Sequence, residues 1–430
     1  MTRMSAGLIP DSRFVLTEDQ AVKLAKEFGT PLYVIDEAHL RTRIRRWRKA
    51  FEAAWPGGEI TFASKANSTL AVIQIAHEEG CLIDVASEGE LRAALAAGVP
   101  ANRCHLHGNN KTVGEIEFAV SAGISQIVVD SFSEIEVLAG LPGPVPDLMI
   151  RLAPGVDPVT HAKISTGQAD TKFGFNIVNS AAEAAVKRCL EAGLPLKGFH
   201  CHVGSQLLDP EAQVSGGEII AQFAVDMLHR HGLETECINV GGGLGIRYTD
   251  DDEPMPVEDY CRAVAEAVRK AFAETNLRPT LVQEPGRSIV GESGVTLYCV
   301  GPVKTVPSKA KGERTYAAVD GGLSYNPRPV MYGSRYTVRA FRGGEEKEFT
   351  ISGKHCETDK LFEDVRLPAD LAEGDLLQVL CTGAYNSSMA SNYNRYQRPA
   401  TAVIREDGSF ALVQRRDTWD EMFARESLLA

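Results

Sequence analysis

Lys65 ends an apolar run, and that placement is where chemistry first shows in this sequence. The stretch Ile60 to Ser68 reads ITFASKANS, and the amine stands where a strand-like segment stops. A lysine there either snorkels to water or is held in a site, partly desolvated, where a lowered pKa suits Schiff-base formation. Later apolar runs also end in reactive side chains: Asp84, His107, Asp130, Arg151, then His202 with Ser205. They are followed by the run Gly241-Gly242-Gly243, and by Glu284 with Arg287. Each alone is explained by a strand end meeting water; together they read as one polar rim. Three glycines in a row either make a tight turn or let backbone N–H groups approach an anion closely. Ser205 adds a hydroxyl donor to such an anion and Arg287 a charged one. A lysine, a phosphate cradle and a carboxylate at Glu284 together suggest pyridoxal phosphate. The lysine would form the Schiff base and the carboxylate would keep the pyridine nitrogen protonated. His202 would stack on the ring. Within His200-Cys201-His202 the two histidines share a strand face, so zinc is geometrically possible, but no third ligand stands out and no metal is expected.

These residues need elements to hold them. Apolar, strand-like runs fall at 60–64, 82–86, 103–107, 126–130, 147–153, 196–203, 236–240 and 280–284, with helical patterns such as GELRAALAAG and VEDYCRAVAEAVRKAF between them. Eight strands, seven intervening helices and an eighth helix at 37–55 in front give the count of a (β/α)8 TIM-like barrel. A doubly wound open sheet is the competing fold. The barrel is expected over 36–287, with active-site residues at the C-terminal ends of its strands. The span 155–180 is a long loop of the kind that carries function. Helix 37–55 has a basic face (Arg41, Arg43, Arg45, Arg46, Arg48), read as solvated. After Arg287 the runs are rich in β-branched residues and separated by Gly and Pro. A mainly β domain is therefore expected over 288–430, completed by the lead-in 12–35, where FVLT looks strand-like and EDQAVKLAKEFG helical.

Composition narrows the function. The chain has 430 residues, 44% hydrophobic and 24% charged, with a net charge of −12, as a soluble globular protein would. The acidic balance argues against nucleic acid or an anionic membrane as partner. No apolar run is long enough to span a bilayer, and the N-terminus lacks the apolar core of a signal peptide. Nine cysteines without a CxxC pair fit reduced thiols in a cytoplasmic protein, one or two of them candidates for reactivity.

With these residues assembled, the chain resembles the fold-type III pyridoxal-phosphate decarboxylases, the alanine-racemase-like barrel group that acts on ornithine, arginine and diaminopimelate. The likeness runs from about residue 12 to 405. It is carried by FASKAN around Lys65, DVASEGEL from Asp84, TKFGF at 171–175, HCHVGSQ at 200–206, NVGGGLG at 239–245, EPGR at 284–287, HCET at 355–358 and GAY at 383–385. The resemblance implies that Lys65 is the Schiff-base lysine, that His202 stacks on the ring and that Glu284 faces the pyridine nitrogen. Asp84 and Pro285 belong to the same cofactor site. Ser205, Gly241, Gly242, Gly243, Gly286, Arg287 and Tyr385 would hold the phosphate end. It further implies that Cys356, in the pair Cys356-Glu357, helps to reprotonate the decarboxylated carbon, a task suited to a thiol. The family builds its sites across a homodimer, so these two residues would reach the partner's lysine.

Within the group, LHGNNKT (106–112), STGQADTKFGF (165–175), NPRPVMYGS (326–334) and GAYNSSMASNYNRYQRP (383–399) are similar to the diaminopimelate branch. Arg287 and Arg328 suit a carboxylate, Tyr332 and Tyr385 a hydrogen bond, and Glu357 a distal ammonium. The implied reaction converts meso-2,6-diaminopimelate to L-lysine and CO2, the last step of lysine biosynthesis. Alternatives are another amino-acid substrate (ornithine, arginine, lysine or a carrier-bound amino acid), a racemase, or a non-catalytic regulator. Two positions depart from the branch: Glu88, usually small, and Tyr325, commonly acidic.

Overall fold

The computed structural model describes residues 13–156, 170–358 and 360–429. The middle of the long loop expected at 155–180, including the STGQA end of its motif, lies outside the described residues. The chain forms two compact units, one of Arg43–Ile246 with Glu253–Ile289, the other of Met1–Thr42 with Arg247–Asp252 and Val290–Ala430.

The described chain opens with FVLT, which is not a strand. Phe14 N–H donates to the Glu292 carbonyl and Leu16 N–H to the Gln378 side chain, both at 2.9 Å. With its donors spent there, the segment joins no ladder. Helix α1 (Glu18–Phe28) then starts at a capping box, Thr17 accepting from Gln20 N–H while Gln20 reaches back to Thr17. Strand β1 (Leu32–Asp36) and helix α2 (Glu37–Ala54) follow.

The barrel alternates through β2 (Glu59–Ala63), α3 (Leu70–Glu78), β3 (Leu82–Val85), α4 (Glu88–Ala96), β4 (Cys104–Leu106), α5 (Val113–Ala122), β5 (Gln126–Val129), α6 (Phe132–Gly140) and β6 (Asp147–Ala153). It continues through the two-residue β7 (Phe175–Asn176), α7 (Ala181–Glu191), β8 (Leu196–His200), α8 (Glu211–His231), β9 (Cys237–Asn239), α9 (Val257–Ala271) and β10 (Thr280–Gln283). The strands pair in the order β5-β4-β3-β2-β10-β9-β8-β6, and β5 also pairs with β6. That last pairing closes eight parallel strands into a barrel and rules out the open sheet. Each strand is a short, almost wholly buried run, as a parallel sheet covered by helices requires.

The basic face of α2 is only partly the solvated face its sequence implied: Arg45 and Arg48 are exposed, while Arg41, Arg43 and Arg46 are half-buried. Arg45 pairs with Glu79 after α3 (2.6 Å), Arg46 with Glu258 of α9 (2.7 Å) and Arg41 with Glu37 (2.8 Å). Arg43 donates to the Ser288 carbonyl and Arg48 to the Glu79 carbonyl. The arginines lie over the chain ends of neighbouring elements, whose carboxylates and carbonyls are the nearest acceptors.

After a short α10 (Arg287–Val290), the second unit is built from β11 (Gly294–Ser308), β12 (Gly312–Val319), α11 (Arg328–Tyr332), β13 (Val338–Ala340), β14 (Glu346–Ser352), β15 (Lys360–Pro368), β16 (Leu376–Val379), β17 (Ala400–Ile404), β18 (Phe410–Gln414) and α12 (Trp419–Phe423). Its sheet runs β15-β14-β12-β11-β1-β17-β18, with β16 pairing β11 and carrying β13. Strand β1 lies between β11 and β17, antiparallel to one and parallel to the other, so the N-terminal lead-in completes this sheet.

One buried ion pair fixes part of the barrel wall. Lys111 Nζ lies 2.9 Å from Glu134, and each side chain is 2% exposed. The ammonium also donates to the carbonyls of Gly108 and Val128, both at 2.7 Å, while Glu134 accepts from the backbone N–H of Asp130. Removing the lysine alone strands a charge and two carbonyls in the interior. Lys111→Met should therefore lower stability in urea unfolding by about 3–5 kcal/mol. Adding Glu134→Gln should recover much of that loss; equal losses in the single and double variants would show that the pair is not the cause.

Candidate active site

Lys65 sits in a single turn, Ser64–Ala66, that follows β2 directly. The turn is held by Ser64, whose hydroxyl donates to the Asp84 carbonyl (2.7 Å) and to Glu90 (3.2 Å). The lysine side chain is 43% exposed, and its Nζ lies 4.0 Å from Asp84 Oδ2. Asp84 is buried in β3, and neither carboxylate oxygen has a hydrogen bond among the described residues. Burial raises its pKa, with His107 and Lys65 opposing the shift.

Glu284, just past β10, is the most heavily supported group. Asn239 at the end of β9 donates to Oε1 at 2.6 Å, and His200 at the end of β8 lies 3.2 Å from Oε2. Asn239 is itself fixed, accepting from Gly241 N–H at 2.9 Å. His107, after β4, places Nε2 3.0 Å from Glu284 Oε1 and 3.7 Å from Asp84 Oδ1, aligned with neither as a hydrogen bond. Burial opposes charge on Glu284, but His107 and His200 outweigh it and hold the carboxyl well below the usual range. Burial likewise opposes charge on His107, but Asp84 and Glu284 raise its pKa above that of an ordinary histidine. His200 goes the other way, with burial pushing it down to about 4. It is therefore a neutral donor, and His107 the cation.

A third group therefore joins the histidine triplet, contrary to expectation. His107, His200 and Glu284 present ligand atoms within 4.8 Å of one another. Their N···O distances are those of direct contacts between donors and a carboxylate, and His107 also lies 3.7 Å from Asp84. His202 shares no strand face with His200, because β8 ends at His200. His202 is half-buried, and desolvation, then Lys65 and Arg151, keep its ring neutral, the form that suits a stacking partner. Arg151 lies 3.7 Å from Asp130 and over the ring of Phe173, at 4.2 Å, while Asp130 accepts from Gly174 N–H. The TKFGF motif is thus tied to the barrel rim.

The glycine run has a steric cause. A Cβ on Gly242 would stand 2.1 Å from the Glu284 carbonyl oxygen, and one on Gly241, at φ +70°, 2.5 Å from that of Cys201. The chain after β9 packs so tightly between its neighbours that no side chain fits. Gly286 faces the Lys65 turn, its Cβ position 3.0 Å from Ala66 Cβ, and the Pro285 carbonyl accepts from Ala63 N–H. Ser205 and Arg287 meet, the guanidinium donating to Oγ at 3.0 Å, and Arg287 is 4% exposed.

The remaining candidates belong to the second unit. Arg328 is buried, with its guanidinium 5.3–5.8 Å from the rings of Tyr332, Tyr385 and Tyr248, and donating to Tyr336 Oη (2.9 Å) and Ser334 (3.2 Å). No acidic side chain pairs with it among the described residues. Cys356 and Glu357 are exposed. The first donates its N–H to Asn394, and the second accepts from the Tyr393 hydroxyl. Cys356 is the only exposed one of nine cysteines, none of them in a disulfide; burial pushes Cys81, Cys104, Cys189, Cys201 and Cys237 up to about 12. The two departures have structural uses: Glu88 pairs with Arg92, and Tyr325 is a core residue whose hydroxyl donates to the Gln397 carbonyl.

Asn239 and the roles of His107 and His200 were not foreseen. The asparagine lies inside NVGGGLG and the first histidine inside LHGNNKT, so both were in view as motif letters without a partner.

Residues 37–291 match the family model for pyridoxal-dependent decarboxylases, pyridoxal binding domain. A diaminopimelate decarboxylase of Bacillus subtilis is 44% identical over 94% of this chain and 92% of its own. Among solved structures, diaminopimelate decarboxylase from M. jannaschii, in complex with L-lysine, superposes with a TM-score of 0.89 at 33% identity, covering 97% of each chain. The Helicobacter pylori enzyme, also with L-lysine, gives 0.84 at 29% identity over 94% of this chain and 98% of that one. A family match over more than half the chain, a near-complete relative and a barrel that places Lys65, Asp84 and Glu284 at one rim agree: the chain belongs to the pyridoxal-dependent decarboxylases.

Proposed function

We propose that the protein decarboxylates meso-2,6-diaminopimelate to L-lysine and CO2, the last step of lysine biosynthesis, with pyridoxal phosphate as cofactor. Likeness to diaminopimelate decarboxylases along nearly the whole chain supports the reaction. Arg328 carries the choice of substrate. A buried guanidinium ringed by tyrosines, with no acidic partner among the described residues, is costly unless a carboxylate arrives, and the substrate's second amino-acid end brings one. A substrate with only an amine at its far end would leave that cation unmatched.

The residues fit the cofactor. Asp84 offers a buried carboxylate whose oxygens still lack hydrogen bonds, the glycine run leaves backbone where side chains would stand, and Ser205 with Arg287 makes an anion cradle. Pyridoxal phosphate, when bound, supplies an electron sink for the pair left behind as CO2 departs. Lys65 would carry it through its amine, with Asp84 beside that nitrogen. Glu284, kept ionised by its donors, would hold the proton on the pyridine nitrogen, and His202 would lie against the ring. Ser205, Gly243, the Gly286–Arg287 backbone and Tyr385 would take the phosphate. Cys356 would deliver the proton to the carbon that lost CO2, its exposure leaving the thiol accessible. Arg328, Arg287, Tyr332 and Tyr385 would orient the distal carboxylate, and Glu357 the distal ammonium.

The protein acts as a homodimer in the cytoplasm, Cys356 and Glu357 serving the lysine of the partner protomer. The family resemblance supports the first statement and nine cysteines without a disulfide the second.

Purified protein with pyridoxal phosphate, offered meso-diaminopimelate, ornithine, arginine and lysine in parallel, should release lysine and CO2 from the first alone. Arg328→Lys should raise KM for diaminopimelate about a hundredfold, because a point charge cannot replace a planar fork; an unchanged KM would remove Arg328 from substrate binding. Lys65→Ala and Cys356→Ala should each be inactive. Mixed and refolded together, they should regain about a quarter of wild-type activity, since half the dimers would be mixed and carry one intact site. Inactive mixtures that contain mixed dimers would mean that each protomer supplies its own cysteine.

A further inference from the structure

We propose that His107 is a positioning residue that couples the two ends of the cofactor site, its imidazolium shared between Asp84, beside Lys65, and Glu284, on the pyridine side. The proposal rests on the placement of pyridoxal phosphate between Lys65 and Glu284 argued above.

The side chains form a line of alternating charge. Lys65 Nζ lies 4.0 Å from Asp84, Asp84 lies 3.7 Å from His107 Nε2, and His107 Nε2 lies 3.0 Å from Glu284. The His107 backbone N–H donates to the Val85 carbonyl at 2.8 Å, which fixes the ring between the two carboxylates. Among the described residues, the charged or titratable groups that bear on it are Asp84 from β3, Lys65 from the turn after β2, Glu284 after β10, His105 from β4 and His200 from β8, whose ring centroid is 5.0 Å away. Arg151, from β6 and paired with Asp130, adds its charge to the field at the same two carboxylates. His200 and His105 are held neutral by burial, down to about 4. The cation between Asp84 and Glu284 is therefore His107. Asn239 and His200 hold Glu284 in place without it, but among the described residues Asp84 has no hydrogen-bond partner for either oxygen. Loss of the imidazolium removes a positive charge that opposes protonation at Lys65, so the nitrogen linked there keeps its proton to higher pH. It also leaves two carboxylates repelling across the site, which weakens cofactor binding.

The test compares holoenzyme with His107→Gln, which keeps a donor near the Nε2 position but no charge, and His107→Phe, which keeps only bulk. The absorbance of the bound, Lys65-linked chromophore is followed against pH, and the cofactor dissociation constant is measured by dialysis. His107→Gln should move the absorbance midpoint upward by about one pH unit and loosen the cofactor about tenfold. His107→Phe should do the same or more; if it fails to fold, His107→Gln still decides. A purely structural role would loosen the cofactor without moving the midpoint. A wild-type midpoint in His107→Gln would overturn the proposal. Wild-type protein that takes up no cofactor at all would instead sink the cofactor placement on which it rests.

Discussion

A carboxylate kept ionised inside the barrel, at Glu284, is the constraint on which the rest of the site depends. Taking such a charge out of water costs several kcal/mol unless donors replace the water. Here Asn239 and His200 supply them, with His107 adding a charge. The three supporters come from the ends of β9, β8 and β4, and the carboxylate from the end of β10. Only a closed parallel barrel in this register brings four such strand ends to one point. The strand pairings are thus part of the electrostatics: a slip in β8 or β9 would remove a donor and leave the charge exposed to the apolar interior.

Close backbone approach is the second constraint, and it explains the conspicuous glycines. The chain after β9 passes where a Cβ on Gly242 would fall 2.1 Å from the Glu284 carbonyl oxygen, far inside van der Waals contact. The same crowding lets Asn239 bridge Gly241 N–H and Glu284 at once. A run that looks like an anion cradle is therefore first a packing requirement, and one of its N–H groups, that of Gly241, is already spent on Asn239. Charge alternates around the same rim, from Lys65 through Asp84, His107 and Glu284, with Arg151 and Asp130 behind.

The barrel could be read from the sequence because its signals are local. Short apolar runs, the Thr112–Glu115 capping box and the glycine that ends α5 each announce an element within a few residues. Lys65, Asp84 and Glu284 were legible as strand-end residues for the same reason. What failed depends on distant partners. FVLT has a strand's composition, but its donors go to Glu292 and Gln378, more than 270 residues away. The arginines of α2 are solvated in part, at Arg45 and Arg48, but the partners Glu79 and Glu258 lie too far along the chain to be paired by spacing. Asn239 lies 45 residues from the carboxylate it supports and His200 lies 84, so no spacing rule could have paired them. Lys111 and Glu134 likewise gave no sign of sharing a buried contact.

The most direct test is to find which residue carries the cofactor. The loaded protein would be reduced with borohydride, digested, and its peptides weighed for a pyridoxyl group. The account predicts one modified site, Lys65. A pyridoxyl group on a different lysine, or none on protein that still releases CO2, would contradict it.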